Sequence, residues 1–247
     1  MRSKVLILIP ARFSSTRFPG KPLALISGVP MINRVYQTLN KKFCEGVETK
    51  VCVVTDHSDI QKTVQESGGL AVMVADETES GTERIQLAYE RHFSDDQYDL
   101  IINVQGDEPL IDKTIIERLI HFHLNSSFDI TTMVRAEEGI AEEPNIVKAI
   151  WCEGSGRCLY FSRAAVPFGR NNPVKKHFAH VGVYSFRPKA LNDFCQFSVG
   201  QYEKTEGLEQ LRALENGQTI GAIKITEKLL GVDCPEDIQK VEELLNE

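Results

Sequence analysis

Lys4-Val-Leu-Ile-Leu-Ile-Pro10-Ala-Arg12-Phe-Ser14-Ser15-Thr16-Arg17-Phe-Pro19-Gly20-Lys21-Pro22-Leu23 is a short apolar run that spills into a polar, cationic loop. The run has the signature of a buried strand. The loop carries two arginines, a lysine, three hydroxyl residues and a glycine. Freed backbone N–H groups, hydroxyl donors and three fixed cations suit a triphosphate better than a single carboxylate. One Arg or Lys in a loop reads as solvated surface. The concentration of all these groups directly after the first strand favours a phosphate site.

Outward from this stretch, short apolar runs alternate with longer amphipathic ones. Strands are expected at Lys4–Ile9, Lys50–Thr55, Leu70–Val74 and Leu100–Val104, with helices at Met31–Lys41, Ile60–Ser67, Thr82–Phe93 and Thr114–Asn125. This alternation predicts an α/β three-layer sandwich with right-handed crossovers. In such sheets ligands sit beyond the C-terminal strand ends, where the polar clusters of this chain fall. After about residue 128 the rhythm changes. Asp129–Arg135, Val147–Cys152, Leu159–Ser162 and Val181–Phe186 read as strands with few helices between them, and Val181-Gly-Val-Tyr-Ser-Phe186 suits antiparallel pairing. Helices return at Pro188–Phe197, Gly207–Asn216 and Pro235–Leu245, with a strand at Gln218–Ile225. No Pro/Gly/Ser linker interrupts the chain. One domain over residues 1–247 is expected, with a β-rich lobe at about 129–187 inside it.

The 247 residues are enough for a large core, and 42% hydrophobic with 26% charged residues is ordinary for a globular chain. A formal net charge of −7 argues against nucleic-acid binding and makes the basic opening loop a local small-molecule site. The apolar run ending at Pro10 is too short to span a membrane and lacks a signal-peptide cleavage pattern, so a cytosolic location and no stable membrane association are expected. Six dispersed cysteines with no C-x-x-C pair read as reduced packing thiols, and the six histidines form no zinc pattern.

Asn103-Val-Gln105-Gly106-Asp107-Glu108-Pro109 follows the fourth strand. Gly106 lets the backbone approach a ligand while the Asp107 carboxylate projects beyond the strand. Opposite a phosphate loop, that carboxylate suits Mg²⁺; alone it would read as a turn residue. Gly231-Val-Asp233-Cys-Pro235-Glu236-Asp237 reads first as a helix start, with Asp233 or Cys234 near the N-cap and Glu236 and Asp237 as first-turn acids. Ser80-Gly-Thr82-Glu83-Arg84 opens a helix capped by Ser80 or Thr82; Arg84 either reaches the ligand or is a solvated charge. Tyr160-Phe-Ser162-Arg163 and His180-Val-Gly-Val-Tyr184 embed polar side chains in apolar strands. Such groups need partners, from a hydroxylated, carboxylated substrate or from the protein itself. Gly20-Lys21-Pro22 is not a Walker A motif, and neither G-x-G-x-x-G nor G-x-S-x-G is present. Cations facing a carboxylate instead suit nucleotidyl transfer from a nucleoside triphosphate.

Together with Leu208-Glu-Gln-Leu-Arg212 and Val232-Asp-Cys-Pro-Glu-Asp237, these motifs occur in the order seen in 3-deoxy-manno-octulosonate cytidylyltransferases, the CMP-Kdo synthetases of lipopolysaccharide biosynthesis. The chain resembles that family over essentially its whole length. The resemblance implies a Rossmann-like sandwich of the nucleotide-diphospho-sugar transferase type, usually a homodimer whose β-rich lobe contributes to the interface. It implies that CTP and Kdo give CMP-Kdo and pyrophosphate with Mg²⁺. Arg12, Ser14, Arg17 and Lys21 would then bind the CTP phosphates, with Lys21 also catalytic. Asp107 and Asp233 would hold magnesium, against the capping role for Asp233. Arg84, Gln105, Arg163, His180, Tyr184, Glu209 and Gln210 would surround the sugar acid.

Cys234 stands where the family often has Thr. Residues 175–180 and 200–210 resemble the variants that activate 8-amino-3,8-dideoxy-manno-octulosonate, for which Glu203 or Glu206 is a candidate partner of the ammonium; the competing reading is a solvated glutamate. A sialic acid as acceptor fits Tyr160–Arg163 and Leu208–Arg212 less well. A catalytically silent binding protein would require a lost metal ligand or phosphate cation, and none is lost.

Overall fold

The computed structural model describes residues 2–14, 17–172 and 174–245. Ser15 and Thr16, two of the three hydroxyl residues of the cationic loop, lie outside the described residues. Two compact units are present, one of residues 1–117 and 228–247 and one of residues 118–227. The expected β-rich stretch at 129–187 falls within the second.

The first unit runs β1 (Ser3–Ala11), a 3-10 turn (Lys21–Leu23), β2 (Leu25–Ile26), β3 (Val29–Pro30), α1 (Met31–Leu39), β4 (Val47–Thr55), α2 (Ser58–Glu66), β5 (Ala71–Met73), α3 (Gly81–His92) and β6 (Leu100–Asn103), with α4 (Lys113–Leu124) beginning in it. Its main sheet has the order β5-β4-β1-β6, all parallel. Val5 to Ile9 expose no surface, so both faces of β1 are covered, which is why this strand reads as an unbroken apolar run. In α1, Met31, Ile32, Val35, Tyr36 and Leu39 are buried at helical spacing, and the Tyr36 hydroxyl accepts from the Leu70 N–H at 3.0 Å. Ser80 caps α3, its hydroxyl accepting from the Glu83 N–H at 3.2 Å.

The second unit contains β7 (Ile130–Glu138), β8 (Lys148–Cys152), β9 (Arg157–Ser162), β10 (Lys176–Phe186), α5 (Pro188–Gln196), α6 (Gln201–Glu206), α7 (Gln210–Glu215) and β11 (Ile220–Ile225). Its strands pair in the order β10-β7-β11-β9-β8, and β8 pairs back onto β10, closing the circuit. Among the described residues of this unit, β7 and β11 pair in parallel and the other pairs are antiparallel, in line with the antiparallel character expected there. The chain then returns to the first unit as α8 (Glu236–Leu245).

Two expectations need correction. β10 begins at Lys176, five residues before Val181, because cross-strand pairing with β7 holds a polar segment extended; Lys176 meets Glu138 at 3.5 Å. The helix expected at Gly207–Asn216 starts only at Gln210, as α7, and a short helix that was not expected, α6, precedes it and ends at Gly207, which takes a left-handed conformation (φ +62°). The cysteines are free thiols among the described residues, and burial pushes Cys52 and Cys158 up to about 12. Among the described residues, no helix is long and apolar enough to cross a membrane.

Candidate active site

The loop after β1 is pinned at both ends. The Phe13 N–H donates to the Asp56 carboxylate at 3.0 Å, and the Phe13 ring stacks on His57 at 3.9 Å. The Gly20 N–H closes the loop on the Phe13 carbonyl at 3.0 Å, with Gly20 at φ +70°, a conformation that favours glycine. Arg12, Ser14, Arg17 and Lys21 from this loop, with Gln105 and Asp107 from the segment after β6, line a cavity of about 360 Å³. All belong to the first unit and lie beyond the C-terminal ends of parallel strands.

Gly106 sets the approach of the two segments. A Cβ there would meet the Pro10 carbonyl oxygen at 3.0 Å and Ile32 Cδ1 at 3.1 Å, so a side chain would displace the turn that carries Asp107. The third segment is tied on by backbone: the Val232 N–H donates to the Asp107 carbonyl at 2.9 Å. Val232 is also buried in an apolar cluster with Ile26, Met31 and Val241.

The charged groups interleave. Lys21 Nζ lies 2.5 Å from Asp107 Oδ2 and 3.9 Å from Asp233 Oδ1, and donates to the Val232 carbonyl at 2.8 Å. The Arg17 guanidinium meets both oxygens of Asp233, at 3.1 and 3.4 Å. Two carboxylates therefore converge within 4 Å on one ammonium, and of these three groups Lys21 and Asp107 line the cavity. Asp233 faces Arg17 and Lys21, with no capping bond to α8 among the described residues. Asp237 does that work in reverse, its Oδ2 accepting from the N–H groups of Asp233 at 3.0 Å and Cys234 at 3.1 Å. Lys240 and these N–H donors hold the Asp237 carboxyl well below the usual carboxylate range. Far from being a solvated first-turn acid, Asp237 fixes the backbone that presents Asp233.

Arg12 reaches Thr78 Oγ1 at 3.3 Å, and Gln105 donates to Asn103 Oδ1 at 3.2 Å. Arg84 is neither a solvated charge nor part of the cavity lining. It is 3% exposed, donates to the Val74 carbonyl and pairs with Asp56 at 3.3 Å; burial lowers its pKa. Through Asp56 it supports the Phe13 end of the loop. Asp56 itself was missed by sequence reasoning, although its place directly after β4 is the position from which polar residues serve such a site.

The remaining candidates belong to the second unit. The His180 ring lies between Phe161 and Tyr184, at 4.9 and 5.4 Å, with Nε2 3.0 Å from Thr132 Oγ1; burial pushes its pKa down to about 4. Tyr184 is buried, and its phenol is pushed up by that burial and by Glu209. Tyr184, Glu209 and Gln210 border one small apolar cavity, and the buried Gln210 amide nitrogen has no hydrogen-bond partner among the described residues. Arg163 is tied to backbone, donating to the carbonyls of Glu206 at 2.8 Å and Pro144 at 2.9 Å. Glu206 accepts from Ser162 Oγ at 2.6 Å and the Arg163 N–H at 2.9 Å. Glu203 is buried in a two-point pair with Arg212, at 2.6 and 2.7 Å. Both candidate partners for a sugar ammonium are thus engaged within the chain.

A cytidylyltransferase family model matches residues 6–223. The chain is 41% identical, over 98% of both sequences, to an 8-amino-3,8-dideoxy-manno-octulosonate cytidylyltransferase of Shewanella sp. (strain W3-18-1). It is 38% identical, over 97% of both, to a 3-deoxy-manno-octulosonate cytidylyltransferase of Thermodesulfovibrio yellowstonii. The solved structure of a CMP:2-keto-3-deoxy-manno-octonic acid synthetase complexed with CTP superimposes with a TM-score of 0.91 at 35% identity, covering 99% of each chain. The fold is that of the nucleotide-diphospho-sugar transferases.

Proposed function

Because the chain belongs to the cytidylyltransferase family, we propose that it transfers the cytidylyl group of CTP to the anomeric hydroxyl of 3-deoxy-manno-octulosonate, giving CMP-Kdo and pyrophosphate. The observation that carries this reading is the interleaving of Arg17, Lys21 and Asp107, which line the cavity, with Asp233, which pairs with both cations. Those are the countercharges of a triphosphate and its metal. Two carboxylates converging on one cationic nitrogen fit Mg²⁺, which typically takes one or two carboxylates and fills its other positions with phosphate oxygens and water. Asp107 and Asp233 would hold it. When bound, such an ion neutralises phosphate charge and lowers the pKa of an attacking hydroxyl.

The chain's own residues do the rest. Arg12, Arg17, Lys21 and Ser14 bind and orient the phosphates, and the cations among them offset the charge that develops on departing pyrophosphate. Gln105 and Arg84 serve from the first unit, one at the cavity wall and one as support beneath the loop. Arg163, His180, Tyr184, Glu209 and Gln210, residues of the second unit, are the proposed sugar-acid ligands. His180 is a neutral hydrogen-bonding group in this role, since its burial disfavours the imidazolium. A second reading, the 8-amino sugar as acceptor, is favoured by the relative at 41% identity. The engagement of Glu203 and Glu206 supports the unsubstituted sugar instead. We further infer a homodimer formed through the second unit, a cytoplasmic reaction because CTP is held inside the cell, and a product that serves lipopolysaccharide biosynthesis.

Pyrophosphate release with CTP, Mg²⁺ and each of Kdo, 8-amino-Kdo and a sialic acid tests the assignment. Release with Kdo is expected, and Asp107→Ala should abolish it while leaving the melting temperature near that of the parent. Release with the 8-amino sugar alone selects the second reading. Release only with sialic acid, or full turnover by Asp107→Ala, overturns the proposal.

A further inference from the structure

The two proposed metal carboxylates have cationic partners within the chain. Lys21 is the firmer of these. Its side chain is only 13% exposed, and its ammonium is held between Asp107 Oδ2 and the Val232 carbonyl, with Asp233 close by. Arg17 pairs with Asp233, and the members of that pair are 69% and 60% exposed, so it is weak. A divalent cation needs the oxygen lone pairs that these cations occupy, and an ammonium a few ångströms away repels it. A triphosphate changes the balance. Its oxygens offer denser negative charge to Arg17 and Lys21, and every cation drawn to phosphate bares a carboxylate beside it.

We infer that Lys21, assisted by Arg17, occupies the Asp107–Asp233 carboxylates until a nucleoside triphosphate draws it away, so that the divalent cation binds together with nucleotide and not before it. This rests on the reading of Asp107 and Asp233 as metal ligands. The coupling is reciprocal: CTP tightens metal binding by the same factor as metal tightens CTP binding.

The test is direct titration with Mn²⁺, free ion followed by electron paramagnetic resonance and Mn²⁺–CTP complexes accounted for. The full chain is compared with Lys21→Met and with Lys21→Gln, each with and without CTP. Without nucleotide, Lys21→Met should bind Mn²⁺ at least about tenfold more tightly than the parent, the scale expected for removing one charge-assisted partner. Lys21→Gln should shift the same way. The enhancement of Mn²⁺ binding by CTP, large in the parent, should shrink in both variants. The gain should vanish in Lys21→Met/Asp107→Asn. Variants that bind Mn²⁺ no more tightly than the parent, or a gain that survives Asp107→Asn, overturn the inference. Absence of Mn²⁺ binding to the parent even with CTP overturns the metal reading beneath it.

Discussion

His123 exposes no surface, and its Nε2 lies 3.1 Å from the Phe128 carbonyl oxygen while Nδ1 lies 2.7 Å from Ser185 Oγ. A carbonyl can only accept, so Nε2 carries the proton and Nδ1 accepts from the serine hydroxyl. The ring is neutral, and burial pushes its pKa from 6.5 down to about 4. The unfolded chain therefore takes up the proton first. The stabilisation is complete above about pH 6.5 and is lost as the pH falls toward 4, by roughly 3 kcal/mol at most. Urea unfolding at pH 7.5 and pH 5 should show this loss, and His123→Gln should flatten the dependence on pH. An unchanged slope in that variant would place the titration elsewhere. Glu203 gives the complementary lesson about charge. As a letter in Gln201-Tyr-Glu203-Lys-Thr-Glu206 it looks solvated, yet it is a buried partner of Arg212, which also lies over the Phe194 ring at 5.0 Å.

Strand ends and corners carry the chemistry, and glycines decide their geometry. Gly106 allows the segment after β6 to lie against Pro10, with the Gly106 N–H donating to the Pro10 carbonyl at 3.3 Å. In Gly106→Ala the new methyl would sit 3.0 Å from the Pro10 carbonyl oxygen and 3.1 Å from Ile32 Cδ1, so the turn is expected to shift by a few tenths of an ångström and Asp107 with it. Turnover is expected to fall by about a hundredfold, because small displacements of catalytic groups are penalised steeply. Thermal melts would show a loss of only a few degrees. A variant with parental turnover would mean that Asp107 tolerates displacement. The corner between α6 and α7 follows similar logic: Gly207 reverses the backbone, and Glu209 and Gln210 follow at the start of α7.

The second unit exposes Phe168 (85%), Leu159 and Tyr202, and these are the candidates for cover by the second copy in the proposed homodimer. A homodimer in solution is therefore expected by sedimentation velocity, with Phe168→Asp shifting the population toward monomer. A single monomer at micromolar concentration would contradict it. Much of the architecture was legible in the chain itself. The apolar run of β1, the spacing of Met31, Val35 and Leu39 in α1, and the Ser80 cap report local backbone preference and burial, which periodicity records directly. So did the grouping of cations after one strand and of Asp107 after another. Partnership was not legible. Lys21 and Asp107 are 86 positions apart, and Arg17 and Asp233 are 216 apart. No local rule distinguishes Arg17, at the open wall of the site, from Arg84, buried beneath the loop on Asp56. Nor does any separate Asp233, which faces Arg17, from Asp237, which holds the backbone behind it. Local composition decides where strands end and which charges gather there; which charge meets which depends on long-range packing, and that exists only once the chain has folded.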